Sequence, residues 1–156
     1  MNRVLFVCLG NICRSPTAQG VFEKLLRDRQ LESEFDVDSA GTHGYHIGSP
    51  PDPRATETAA HRGIDLSPLR GRQATAADIE MFDYVIAMDK SNHQHLVSIA
   101  SSAHEYKVRL FMEFADEYDV DEVPDPYYGG GGGFDRVLDM IEAASQGLLE
   151  EILRNR

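Results

Sequence analysis

Early in the chain the hydrophobic pattern changes its period, and no other feature limits the fold so tightly. Arg3–Cys8 (RVLFVC) is a short apolar, β-branched run, as a strand shows when a parallel sheet buries both its faces. From Thr17 onward, Ala18, Val21, Phe22, Leu25 and Leu26 recur at the i, i+3, i+4, i+7, i+8 spacing of an amphipathic helix. Between the two lies "CLGNICRS", Cys8 to Ser15, so the reading is strand, tight loop, helix.

The rest of the chain repeats that alternation. Phe35–Ser39 (FDVDS), Tyr84–Met88 (YVIAM) and Tyr106–Leu110 read as three further strands. "SPPDPRAT", Ser49 to Thr56, is a turn that opens a helix running to about His61, and Asp89 or Ser91 is placed to cap the helix after the third strand. Phe134, Val137, Leu138, Ile141, Leu148 and Ile152 mark one face of a long C-terminal helix. Strands alternating with helices imply parallel pairing through right-handed crossovers, hence an α/β sandwich. At 156 residues the chain matches one domain, residues 1–156. The run Gly129–Gly133 is therefore a connection to the C-terminal helix, which supplies core, rather than a linker between domains. It is expected to move.

Composition excludes several functions. A net charge of −11 argues against nucleic-acid binding through a basic face. The apolar run Val4–Leu9 is too short for a secretory core or a membrane span, so a cytoplasmic protein with no membrane association is expected. The only two cysteines, Cys8 and Cys13, share one loop, which suits neither a disulfide framework nor a structural zinc site. The histidines, His93 and His95 included, show no ligand pattern; no metal and no cofactor are expected.

The chemistry concentrates in the first loop. A tight turn from strand to helix aims backbone N–H groups and the helix's N-terminal partial charge at one point, which makes an anion cradle. Gly10 permits unusual backbone angles, and Asn11 can tolerate left-handed geometry while its side chain ties the loop down. Arg14 offers a planar fork for two phosphate oxygens. Cys8 lies at the floor of this positive cup, set up as a nucleophile, with Ser15 placed to donate a hydrogen bond to its sulfur. Pro16 suits the first turn of the helix.

"VCLGNICRSP" together with "DPYY" resembles the low-molecular-weight protein tyrosine phosphatase family. The likeness continues through "DSAGT" (Asp38–Thr42), "PDPRA" (Pro51–Ala55), "RQ" (Arg72, Gln73), "MDKSN" (Met88–Asn92) and "DPYYGG" (Asp125–Gly130). It implies a three-layer domain, a four-stranded parallel sheet with helices on both faces and the phosphate loop after the first strand. It also implies hydrolysis of protein phosphotyrosine through a cysteinyl phosphate. Cys8 resembles the nucleophile, Arg14 the phosphate clamp and Asp125 the general acid. Leu9, Gly10, Asn11, Ile12, Cys13 and Ser15 build the loop, supported by Ser39. Tyr45, His46, Tyr127 and Tyr128 match the pocket mouth. A deep slot would admit phosphotyrosine and exclude the shorter phosphoserine. The implied partners are phosphotyrosine-containing proteins, with bacterial tyrosine kinases as candidates, and a monomer or weak dimer is expected.

The chain departs from the family where Leu69 replaces a common histidine and Tyr45 a common rim tryptophan. Arsenate reductases share the fold and loop but use a downstream cysteine pair that is missing after Cys13. Arginine phosphatases tend to carry Thr where this chain has Ile12. A phosphate-binding module without catalysis would not need both Cys8 and Asp125. Cys13 lies close enough in sequence to capture a sulfenate on Cys8, which predicts redox sensitivity.

Overall fold

The computed structural model describes residues 1–126 and 133–156. Four strands, β1 (Asn2–Cys8), β2 (Phe35–Gly41), β3 (Tyr84–Ala87) and β4 (Val108–Leu110), pair in parallel in the order β2-β1-β3-β4. The helices among the described residues are α1 (Arg14–Asp28), α2 (Pro53–Ala60), α3 (Ala76–Met81), α4 (Lys90–Ile99) and α5 (Gly133–Asn155). Successive side chains of a strand point to opposite faces, and β1 uses both. Val4, Phe6 and Cys8 enter a core with Phe22 of α1, Ala59 of α2 and Leu148 of α5. Leu5 and Val7 enter a second core with Ile79 of α3 and Leu96 of α4. The expected α/β architecture, a parallel sheet covered on both faces, is the one observed.

The strand order places a functional crevice. β1 lies between β2 and β3, and the chain leaves its C-terminal end into α1 on one face, whereas it leaves β3 into α4 on the other. Where two successive connections part in this way, a cleft opens beyond the strand ends. The loops after β1 and β3 border it.

Some elements differ from the sequence reading. The fourth strand starts at Val108, because Glu105–Lys107 form a 3-10 turn. Lys107 is drawn inward there, donating from Nζ to the Ile79 and Glu80 carbonyls at 3.1 and 2.9 Å near the end of α3. α1 starts at Arg14, ahead of the apolar pattern. α3 was not marked by periodicity at all; a capping box defines it, with Asp78 N–H donating to Thr75 Oγ1 at 3.3 Å and Thr75 N–H to Asp78 Oδ2 at 2.8 Å. Gly133 opens α5, while Tyr127, Tyr128 and Gly129–Gly132, and the movement expected of that run, lie outside the described residues. No helix among the described residues is long and apolar enough to cross a membrane.

Candidate active site

Cys8 ends β1 beside Gly41 of β2 and is 3% exposed. Its Sγ lies 3.0 Å from Ser15 Oγ in the first turn of α1. Asn11 orients that hydroxyl: its Nδ2 donates to Ser15 Oγ at 2.8 Å and to Ser39 Oγ at 3.0 Å. With its oxygen already accepting, Ser15 has its proton available for the sulfur or for the Ala40 carbonyl at 3.3 Å. Ser39 in turn donates to Gln19 Oε1 at 2.7 Å, so the loop, β2 and α1 are joined by one buried chain of hydrogen bonds.

Asn11 takes the left-handed turn, at φ 58°, and Gly10 does not. Gly10 serves close approach instead: a Cβ there would stand 2.9 Å from His46 Cδ2. Asn11 can hold this angle at lower cost than most residues, and its Oδ1 accepts from Arg72 N–H at 3.0 Å.

Arg14 begins α1 and is buried. Its Nη1 donates to Asp89 Oδ2 at 2.8 Å and to the Val123 carbonyl at 3.0 Å. Burial works against the charge, but the Cys8 sulfur and the Asp89 carboxylate outweigh it and hold the guanidinium above its ordinary pKa. Asp89 does a second job, since its Oδ1 accepts from Asn92 N–H at 2.8 Å and caps α4. Cys13 stands at the N-cap of α1 without a side-chain cap hydrogen bond, so the helix's first amides are not closed off from that side. Burial pushes the Cys13 thiol far up, helped by the neighbouring Cys8 and Asp52, and both cysteines are free thiols.

One cavity of about 210 Å³ gathers the expected residues: Cys8, Leu9, Gly10, Ile12, Cys13, Arg14, Tyr45, His46 and Asp125 line it. Ser15 and Ser39 stand behind it as supports. Asp125 follows Val123, whose N–H donates to the Met88 carbonyl at 2.8 Å, so the segment carrying this carboxylate is tied to the end of β3. Tyr127 and Tyr128, expected at the mouth, lie outside the described residues. A larger hollow of about 440 Å³ beside α5 is lined by carboxylates such as Asp116, Glu117 and Glu150 and includes no cysteine. Among the described residues no three His, Cys, Asp or Glu side chains gather as a metal site. His93 reaches the Val108 carbonyl at 3.2 Å, and His95 packs against His43.

Three contributors were missed by sequence reasoning. Gln19 receives Ser39, Asp89 receives Arg14, and Arg72 braces the loop from outside. Arg72 Nε donates to Asp38 Oδ2 at 3.0 Å, and its Nη1 and Nη2 grip Asp78 at 3.0 and 3.1 Å. The Asp78 carboxyl is pushed up by burial, but the Arg72 and Thr75 hydrogen bonds prevail and hold it below the usual value. Leu69 packs on the core, and the loop's hydrogen bonds run through Asn11 and Arg72.

Known proteins resemble this chain along nearly its whole length. Residues 3–156 match the family model described as low molecular weight phosphotyrosine protein phosphatase. The low molecular weight protein-tyrosine-phosphatase YfkJ of Bacillus subtilis is 38% identical, over 100% of this chain and 99% of its own. A crystal structure of a protein tyrosine phosphatase from Entamoeba histolytica, with Hepes in its active site, superposes with a TM-score of 0.95 at 37% identity, covering 99% of each chain. Wzb of Vibrio vulnificus, solved in complex with benzylphosphonate, superposes at 0.82 with 31% identity over 96% of this chain and 98% of its own.

Proposed function

Because the chain belongs to the low-molecular-weight phosphotyrosine protein phosphatase family, we propose that it hydrolyses phosphotyrosine in proteins through a phosphate ester of Cys8. The observation that carries this reading is the shared cavity, in which a buried sulfur, a buried guanidinium and a carboxylate line one hollow. Cys8 Sγ attacks phosphorus as the thiolate, in line with the departing phenol oxygen. The S–P bond forms as the P–O bond to the ring breaks, and Asp125, in its acid form, gives its proton to the leaving oxygen. Arg14 and the loop amides spread over the three equatorial oxygens, where the transition state carries its charge. Asp125, now a carboxylate, takes a proton from water as that water attacks phosphorus. The S–P bond breaks, inorganic phosphate leaves, and Ser15 steadies the released thiolate.

Leu9, Ile12, Tyr45 and His46 supply the slot above the sulfur. The benzylphosphonate bound by the V. vulnificus relative, a ring joined through one carbon to phosphorus, supports an aromatic monoester in such a slot. Phosphotyrosine-bearing proteins are accordingly the substrate class, with a bacterial tyrosine kinase as the candidate partner. Cys13 lies in the same hollow, and once a peroxide oxidises the Cys8 thiolate to the neutral sulfenic acid, part of the charge that opposes Cys13 ionisation is gone. That supports attack of Cys13 on the sulfenic acid sulfur, in which the S–O bond breaks, the hydroxyl leaves as water with the thiol proton and a Cys8–Cys13 disulfide forms.

The test is hydrolysis of an aryl phosphate and of phosphotyrosine, phosphoserine and phosphoarginine peptides by the unaltered protein, Cys8→Ser and Asp125→Asn. Phosphotyrosine is expected as the preferred peptide, with no turnover in Cys8→Ser and a loss of about 100-fold or more in Asp125→Asn. Unchanged turnover in Cys8→Ser ends the mechanism, and a preference for phosphoarginine replaces the substrate.

A further inference from the structure

Tyr45 is 70% exposed although it forms a wall of the cavity. A phenol ring in that position turns freely unless something stacks on it. His43 does so: the two rings lie 5.2 Å apart and within 12° of parallel. His43 is itself fixed. Its Nδ1 and Thr42 Oγ1 share a hydrogen bond of 2.8 Å, either atom serving as donor, and Thr42 is buried. The backbone beneath is tied to the phosphate loop, with Thr42 N–H donating to the Cys8 carbonyl at 2.9 Å and His43 N–H to the Leu9 carbonyl at 3.1 Å. On another side His95 of α4 meets the His43 ring at 5.4 Å between centroids.

From this we infer that His43 is a positioning residue for substrate specificity: it holds Tyr45 as a fixed wall at a set height above Cys8, and His95 backs it. The inference rests on the phosphatase reading above. A continuous chain of contacts runs from the carbonyls of Cys8 and Leu9 through Thr42 to the imidazole and then to the phenol ring. The position of the wall is thereby set by the same loop that sets the position of the phosphorus. A substrate ring must satisfy both at once, so the device favours a flat aromatic group one oxygen away from phosphorus. A phosphate monoester without a ring gains nothing from it.

A free imidazole acting only on the general fold would lower stability without distinguishing substrates. The experiment therefore measures kcat and KM for a phosphotyrosine peptide, and the inhibition constant of inorganic phosphate, which occupies the cradle and leaves the wall untouched. His43→Ala is expected to raise KM about five-fold, the worth of an aromatic pair, with kcat held and phosphate inhibition unchanged. His43→Phe, which keeps a ring to stack, recovers most of the loss, and His95→Ala raises KM about two-fold. In a Tyr45→Ala background, His43→Ala adds no further rise, because the wall it supports is gone. Additive losses in that double variant overturn the inference, as does weaker phosphate inhibition in step with KM. If the unaltered protein hydrolyses no aryl phosphate, the phosphatase reading falls and the inference with it; activity with additive losses removes the wall alone.

Discussion

Replacing Asn11 separates two reasons for its presence in the loop. The side chain makes three hydrogen bonds, to Ser15, Ser39 and the Arg72 amide. At about 1 kcal/mol net for each, their loss costs roughly 3 kcal/mol. Ser15 and Ser39 keep other partners, Ala40 and Gln19, so the figure stays near the sum and does not climb towards the cost of orphaned groups. The backbone adds its own term, because the residue sits at φ 58°, where a Cβ without a compensating side chain costs about 1 kcal/mol. Asn11→Ala is thus expected to lose about 4 kcal/mol and Asn11→Gly about 3 kcal/mol, large fractions of a total stability of about 5–15 kcal/mol. Asn11→Asp keeps the acceptor for Arg72 but cannot donate to the two serines. It should fall least in stability while still losing activity about 10- to 100-fold, because the Ser15 proton is no longer directed at the sulfur. Urea unfolding midpoints and kcat/KM on an aryl phosphate read the series. If Ala is tolerated as well as Gly, the left-handed turn is not the constraint; if neither loses 1 kcal/mol, the hydrogen-bond chain is not either.

Asp89→Ala removes a helix cap, about 1 kcal/mol, and the charged partner of a buried arginine, and should lose about 3 kcal/mol in unfolding experiments. Asp89→Asn keeps the cap acceptor, so it should lose about 1 kcal/mol while KM for phosphate esters still changes; full activity would mean that Arg14 is aimed by something else. Cys13→Ser should reach irreversible Cys8 oxidation under peroxide sooner than the unaltered protein, followed by mass spectrometry, and equal rates would sink the capture step. Asp78 has a depressed carboxyl in the folded state, so its contribution is present above the ordinary carboxylate range and drains away as pH falls through the lower folded value. Asp78→Asn should therefore flatten the acid limb of stability below about pH 4, and an unchanged limb would contradict the Arg72 pairing.

The elements that sequence alone made legible are those whose pattern is local. RVLFVC and the α1 stripe announce themselves because burial on two faces or on one stripe leaves a mark every few residues. Tyr106–Leu110 misled because alternating apolar residues also fit a 3-10 turn when the intervening Lys107 has carbonyls to reach, and those belong to Ile79 and Glu80, far away in sequence. The α3 signal was present as Thr75 and Asp78 three apart, a cap without a stripe. Cys8, Arg14 and Asp125 could be named from motifs, and one hollow holds all three. The pairing of Arg14 with Asp89 could not, since only the parallel order β1 beside β3 brings the two loops together. A different long-range contact hid Arg72, whose neighbour Gln73 bridges to Gly41 of β2 at the opposite edge of the sheet.

β1 is the inner strand that leads straight into the cradle, and α1, which leaves it, is buried over most of its first half. The amides of Val4–Cys8 should therefore be among the slowest in the molecule to exchange with deuterium, released only when the whole domain opens. Heat inactivation and global unfolding would then share one midpoint. The phosphate cup ought to survive any mild stress that first frays β4 or the end of α5, and a bound oxyanion would slow the final step, because the last structure to be lost is the one it occupies.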